Sequence, residues 1–214
     1  MILKPYLVAI AGGSGSGKTT IVNRVKAMIP NMDVLVFNGD HYYQDLSHLS
    51  SERRAMMNFD HPDSIDNRLL IDHIQKLMNG ESIERPTYDF ATHSRLSTTE
   101  TLHPAKFILF DSIFALYHPE IRELCSMRFF VDVGNDLRFI RRLTRDIKER
   151  GRTVDNVVDQ YLTTVRPMYV KYVDPTKRYA DMVIYWEHDN QQTIETIAGL
   201  FEHVHQKGNG RIVN

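Results

Sequence analysis

Apolar residues follow two rhythms along this chain. Short apolar runs bounded by turn residues occur at 6–11 (YLVAIA), 33–37 (DVLVF), 106–111 (KFILFD), 128–133 (RFFVDV) and 181–186 (DMVIYW). They are rich in β-branched and aromatic side chains at neighbouring positions, the pattern of strands buried on both faces. Between them, helical spacing predicts helices over about 18–29, 65–79, 117–125, 136–150, 154–172 and 190–206. This alternation predicts an α/β fold, a mainly parallel sheet with helices on both faces. The stretch from Gly39 to about His103 breaks the rhythm: it is polar, rich in aromatics and punctuated by Pro62 and Pro86. It reads as a long irregular insertion of the kind that forms binding loops. No repeat or linker marks a boundary, so residues 1–214 are expected to form one domain, with a frayed tail from Gln206.

Composition narrows the partners. Among 214 residues, 42% are hydrophobic and 25% charged, enough for a substantial core. With 26 Lys and Arg against 27 Asp and Glu, the net charge of -1 argues against a nucleic-acid surface, which needs clustered cations. Phosphate recognition must then be local. No apolar run approaches the roughly 20 residues of a membrane helix, and the single Cys125 cannot form an internal disulfide. The apolar N-terminus runs into glycines without a cleavage pattern, which predicts a buried strand rather than a signal peptide, and a cytoplasmic protein.

The chemistry begins where the first strand ends. Gly12, Gly13, Ser14, Gly15, Ser16, Gly17, Lys18, Thr19 and Thr20 satisfy G-x-x-x-x-G-K-[ST] between a predicted strand and a predicted helix. Without Cβ atoms such a loop can turn its N–H groups around a phosphate, helped by the positive end of the helix dipole. Lys18 can reach the β and γ phosphates, and Thr19 offers its hydroxyl to Mg²⁺. No N-K-x-D sequence of guanine-reading switches occurs. Transfer to an acceptor hydroxyl needs a proton-accepting carboxylate, a Mg²⁺ ligand and cations over the transferred group. Asp40 and Asp111 follow apolar runs, so both are expected at the carboxyl edge of the sheet, where open α/β folds bind ligands. Asp40 is assigned as the base. Asp111 is assigned as a direct or water-mediated Mg²⁺ ligand, with Thr19 and Asp40 as further oxygens at the metal.

Two other regions admit a functional and a plain reading. Residues 58–66 (NFDHPDSID) and 85–95 (RPTYDFATHSR) combine aromatics, carboxylates and His. They suit a flat base and sugar hydroxyls, or a loop pinned by its own aromatics. Arg138, Arg142, Arg145 and Arg152 recur at spacings that share roughly one helical face. They form either a solvated face or a lid that lowers guanidinium groups onto a triphosphate, with Gly151 as its hinge.

In order along residues 5 to 190, the segments GGSGSGKTT, GDHYYQD, NFDHPDSID, PTYDFATHSR, RRLTRDIKERGR, QYLTTVRPMYVKYVDPTK and ADMVI resemble the uridine kinase (uridine-cytidine kinase) family. The resemblance implies a P-loop kinase domain that moves the γ-phosphate of ATP, or of GTP, to the 5′-hydroxyl of uridine or cytidine with Mg²⁺. The product is UMP or CMP, in pyrimidine salvage. It implies a nucleoside-binding insertion over about 39–103, lid helices over about 136–172, and a homo-oligomer, commonly a tetramer. By the same resemblance Asp40 is the catalytic base, with Lys18 and Arg145 as its catalytic partners. Asp60 holds the ribose hydroxyls, Tyr88 and His93 contact the pyrimidine, and Tyr43 and Phe59 line the pocket. Arg142, Arg152 and Gln160 bind or close over substrate, Arg145 and Arg150 face the phosphates, and Asp189 lies near the adenine. The chain departs from the family at Asp111-Ser112, where members typically carry Glu-Gly. A carboxylate one methylene shorter is retracted by roughly 1.5 Å, a gap that a Mg²⁺-bound water can fill. Two alternatives remain: a phosphoribulokinase-like kinase of another small hydroxylated acceptor, and a nucleotide-binding regulatory protein with reduced turnover.

Overall fold

The computed structural model describes residues 4–209. In chain order its first elements are β1 (Tyr6–Gly12), α1 (Lys18–Met28), β2 (Val34–Asn38), the short α2 (Ser51–Ala55) and α3 (Asn67–Met78). There follow β3 (Ile83–Asp89), β4 (Ser94–Leu102), β5 (Phe107–Asp111), α4 (Pro119–Leu124) and β6 (Cys125–Asp132). The chain continues through α5 (Asn135–Arg150), α6 (Val154–Gln160), α7 (Arg166–Met168), β7 (Met182–Tyr185) and α8 (Gln191–Asn209). Five strands make one parallel sheet in the order β2-β5-β1-β6-β7.

The unbroken apolar character of these strands follows from burial on both sides. Successive side chains of a strand point to opposite faces, so Leu7, Ala9 and Ala11 enter one core while Val8 and Ile10 enter the other. The first core joins Ile108, Phe110 and Phe130 to Leu70, Ile74 and Leu77 of α3. The second joins Phe107, Leu109 and Phe129 to Ile21, Val22 and Val25 of α1 and to Ile194, Ile197 and Phe201 of α8. Each such side chain contributes roughly 1.5–3 kcal/mol when fully buried. The result is a stiff platform on which Gly12, Asn38 and Asp111 all end at the carboxyl edge.

The segment from Gly39 onward is more regular than its sequence suggests. Asp66 caps α3 by accepting the Leu69 N–H at 3.2 Å. Residues β3 and β4 form an antiparallel hairpin outside the main sheet. Its register shifts between Pro86 and Tyr88, the kind of irregularity where a strand tolerates a residue without an N–H. Leu96 through Thr101 are all exposed, so no apolar alternation announces β4.

The helix expected over 154–172 is also compound. Two π turns, Tyr161–Val165 and Tyr169–Val173, flank α7, and a 3₁₀ turn follows at Asp174–Tyr179. Pro167 has no N–H to donate, which interrupts the i→i−4 ladder there. The last helix runs on to Asn209, past the point where fraying was expected, and residues 210–214 of that tail lie outside the described residues. No helix among the described residues is long and apolar enough to cross a membrane.

Candidate active site

The glycine loop turns tightly between β1 and α1: Ser16 N–H donates to Gly13 O at 3.1 Å, and the Lys18 ammonium folds back to the same carbonyl at 3.3 Å. Burial lowers the Lys18 pKa, opposed by the nearby Asp111 and Asp40 carboxylates. Thr20 is exposed on α1, and Ser16 is buried, its hydroxyl without a hydrogen-bond partner. Gly15 has φ +79°, and a Cβ there would lie 2.3 Å from the Arg138 carbonyl oxygen. Gly15→Ala is therefore expected to lose ~1–2 kcal/mol of stability from the left-handed backbone alone, read by thermal denaturation. The cradle must also shift to clear that oxygen, so ATP affinity is expected to fall about tenfold or more, ~1.4 kcal/mol, read by nucleotide titration.

Arg138 leaves the expected lid face. It is buried, donates to Val133 O at 3.1 Å and stacks on Tyr169 with its guanidinium carbon 3.6 Å from the ring centroid. Its place in the first turn of α5 sets it behind Gly13 and Gly15 as a buttress of the loop. On the other side the indole of Trp186 packs against Gly17, and Arg141 donates to Trp186 O at 3.0 Å. Asp189 pairs with Arg24 of α1 and is largely exposed; it does not join the cavity described below.

The carboxylates sit at the strand ends. Asn38 accepts the Asp40 N–H at 2.8 Å and starts a 3₁₀ turn over Gly39–Tyr42, which directs Asp40 into a cavity shared with Ser14 of the glycine loop. Asp40 is close enough to act electrostatically on Lys18, Asp60 and Asp111. Asp111 is 3% exposed and accepts the Thr19 hydroxyl at 2.5 Å. Burial raises its pKa, and Lys18 and Thr19 counter the rise. Despite its shorter side chain, Asp111 reaches Thr19. Ser112 is turned elsewhere: its hydroxyl accepts the Phe114 N–H at 3.1 Å, and a Cβ on Gly39 would come within 2.8 Å of it. That close approach of the two strand ends requires glycine at position 39.

Opposite Asp40, the insertion supplies an aromatic wall. Tyr43 meets Phe59 edge-on at 5.5 Å and packs against Tyr88 at 5.1 Å with the rings tilted by 45°. Phe59 stacks on His93, centroids 4.4 Å apart and planes 10° apart. The Tyr88 hydroxyl is buried without a hydrogen-bond partner, and burial pushes its pKa up to about 12. Arg95 secures this wall by donating to Tyr43 O at 2.7 Å and pairing with Asp66 at 3.3 Å. His93, at the hairpin tip with φ +52°, lies 2.8 Å from the Arg152 guanidinium. Burial first, then Arg152 and Arg150, push its pKa down to about 4. The neutral ring thus accepts from Arg152 at Nε2 and carries its proton on Nδ1.

Cations close the cavity from α5 and from the short link to α6, where Arg152 lies. Arg142 donates to Ser14 Oγ at 2.9 Å and Gln160 Oε1 at 2.9 Å, and lies 3.8 Å from Asp60 Oδ1. Arg152 donates to the same Gln160 oxygen at 2.8 Å. Burial raises the Asp60 pKa, and Arg142 opposes it. Arg142, Arg145 and Arg150 converge on Asp146, which is fully buried, at 3.5, 2.8 and 3.3 Å. Burial alone would raise the Asp146 pKa, yet the three guanidinium groups together hold it below the usual carboxylate range.

One cavity therefore gathers Ser14, Asp40, Asp60, Tyr43, Phe59, Tyr88, His93, Arg142, Arg145, Arg150, Arg152 and Gln160, predicted from sequence, with Phe90 and Ile113, which were not. Phe90 stands two residues after Tyr88 in the same aromatic run, a signal that was available; Ile113 carried none. With these cations drawn over it, the cavity leaves solvent space of about 50 Å³, room for a few waters, so a larger guest enters only when the arginine-bearing segment draws back.

Comparison with known proteins bears on this arrangement. The sequence model of the Phosphoribulokinase / Uridine kinase family matches residues 7–192. A uridine kinase of Chloroflexus aurantiacus is 46% identical over 198 residues, covering 92% of this chain and 95% of that protein. A uridine kinase of Oceanobacillus iheyensis is 43% identical over 205 residues, with 96% and 98% covered. Among solved structures, phosphoribulokinase from Rhodobacter spheroides superposes with a TM-score of 0.63 at 12% identity, covering 85% of this chain and 70% of that one. D-glycerate 3-kinase from Cryptococcus neoformans superposes with a TM-score of 0.58 at 14% identity, covering 82% and 81%. At such identities these two structures speak for the fold alone.

Proposed function

Starting from the Phosphoribulokinase / Uridine kinase family, to which this chain belongs, we propose that it transfers the γ-phosphate of ATP to the 5′-hydroxyl of uridine or cytidine. The observation that carries this reading is the single cavity in which Ser14 of the glycine loop, the Asp40 carboxylate and the aromatic wall of Tyr43, Phe59, Tyr88 and His93 meet. A sugar phosphate would have no use for that wall, whereas a pyrimidine can lie against it. The unpaired Tyr88 hydroxyl and the Nδ1–H of His93 are free to bond polar atoms on its edge. The residues of 39–103 would then bind the nucleoside, and those of 136–172 would close over it.

Within this reading the glycine-loop N–H groups and Lys18 hold the donor phosphates. Asp60, positioned by Arg142, accepts hydrogen bonds from the ribose hydroxyls. Asp40 takes the proton of the 5′-hydroxyl as its oxygen bonds to the γ-phosphorus and the bond from that phosphorus to the bridging oxygen of ADP breaks. Arg145 and Arg150 face the negative charge that shifts during transfer, and Gln160 ties Arg142 to Arg152 so that the cations close as a unit. Thr19 and Asp111 fit Mg²⁺, with Asp40 as a third oxygen group nearby. Mg²⁺ binds through one or two carboxylates plus phosphates and waters, and no cluster of three His, Cys, Asp or Glu among the described residues offers a full protein cage. When bound, the ion supplies charge neutralisation at the β and γ phosphates. Asp189, on the surface with Arg24, would bound the adenine side. Consumption of a preformed nucleoside makes this a salvage reaction.

ADP release measured with uridine, cytidine, adenosine and ribulose 5-phosphate, with and without Mg²⁺, tests the reading. Uridine or cytidine is expected to give the highest kcat/KM, with release abolished when Mg²⁺ is chelated. Preference for ribulose 5-phosphate, or nucleotide binding without release on any acceptor, would overturn it.

A further inference from the structure

His61 lies next to Asp60 yet does not line the cavity. Its two ring nitrogens have separate duties. Nδ1 accepts the Asp63 N–H at 3.1 Å and so caps the 3₁₀ turn Pro62–Ser64. An accepting Nδ1 leaves the neutral ring's proton on Nε2, which lies 2.8 Å from the Tyr172 hydroxyl across 111 positions of sequence. The same two rings meet edge-on at 4.7 Å and 75°. Tyr172 belongs to the second π turn of the helical run that begins with Gln160's α6, and it also meets Tyr117, in the loop after β5, edge-on at 5.9 Å. The loop carrying Phe59 and Asp60 is internally tied, since Ser64 Oγ donates to Phe59 O at 3.0 Å and Asp60 N–H to Asn58 Oδ1 at 3.1 Å. These bonds tie the loop into one unit, and the His61–Tyr172 contact fastens that unit to the helical run that carries Gln160.

We propose that His61 is a positioning residue: through its Nε2–H bond to Tyr172 it sets Phe59 and Asp60 for the acceptor, and so governs acceptor affinity but not donor affinity. This rests on the nucleoside kinase reading for its kinetics. The π turn matters because it offsets Tyr172 from the register of a regular helix, turning its hydroxyl toward the loop.

His61→Asn keeps an oxygen able to cap the 3₁₀ turn, because Asn is a good cap, but cannot reach Tyr172. Tyr172→Phe removes the hydroxyl alone. Loss of one neutral hydrogen bond corresponds to roughly a two- to tenfold change. Each variant is expected to raise the uridine KM by about that factor while the ATP KM stays within about twofold. The double variant is expected to be no worse than the more affected single one, as for two partners in one contact. Equal rises in both KM values, or multiplied effects in the double variant, would overturn the proposal. Hydrogen exchange gives a readout that needs no substrate: in Tyr172→Phe, amides of residues 58–66 are expected to exchange faster, and unchanged exchange there would also overturn it. A wild-type protein inert toward every nucleoside would refute the kinase reading, and the exchange measurement would still decide the fate of the contact.

Discussion

Asp40→Asn is expected to lower kcat with uridine by roughly 10²–10⁴-fold, the usual contribution of a general base, while ATP affinity is kept or improves. Asparagine has the same shape, and the backbone at position 40 is held by Asn38 rather than by the Asp40 side chain, so the turn should survive. On the proposed reading, the variant loses the group that accepts the hydroxyl proton. It also loses one negative charge near Lys18 and Asp111, which favours a polyanionic donor. Single-turnover ADP formation alongside a nucleotide titration separates the two effects. A kcat within tenfold of wild type would remove Asp40 from the proton transfer.

The second large effect is structural. Asp146→Ala is expected to destabilise the protein by about 3–5 kcal/mol, the cost of leaving buried charge without its partner, or a fall in Tm of roughly 6–20 °C for a chain of this size. Asp146 is fully buried and paired with Arg142, Arg145 and Arg150. Without it three guanidinium groups face one another around a closed cavity, so the acceptor KM should rise as well. The pH dependence has a definite sign. A carboxyl held below its unfolded pKa stabilises the fold above that unfolded value, near 3.9, and loses this contribution as pH falls through the folded value. Wild type and variant should therefore converge in stability on acidification below about pH 4. Calorimetry across pH checks both statements, and a Tm change under about 2 °C at neutral pH would show that the arginines do not depend on Asp146.

Legibility in the sequence followed the physics of each part. The glycine loop and the two strand-end carboxylates were readable because strand, loop and helix impose a strict local order, and β1, β5 and β6 were readable because burial on both faces leaves continuous apolar runs. The β3–β4 hairpin was hidden: its second strand is exposed over six successive residues and its first contains Pro86. Asp146 was hidden within a basic stretch that looks like a solvated face. Its spacing, four residues after Arg142 and four before Arg150, was the available signal. Arg138 shared that face by periodicity, but the period does not say that the first turn of the helix starts behind the glycine loop.

The packing of Trp186 against Gly17 has a practical consequence. It is the chain's one tryptophan, and it is 4% exposed at the foot of the glycine loop. The protein's entire indole emission thus originates beside the residue that precedes α1, giving a built-in optical reporter of the glycine loop that needs no attached dye.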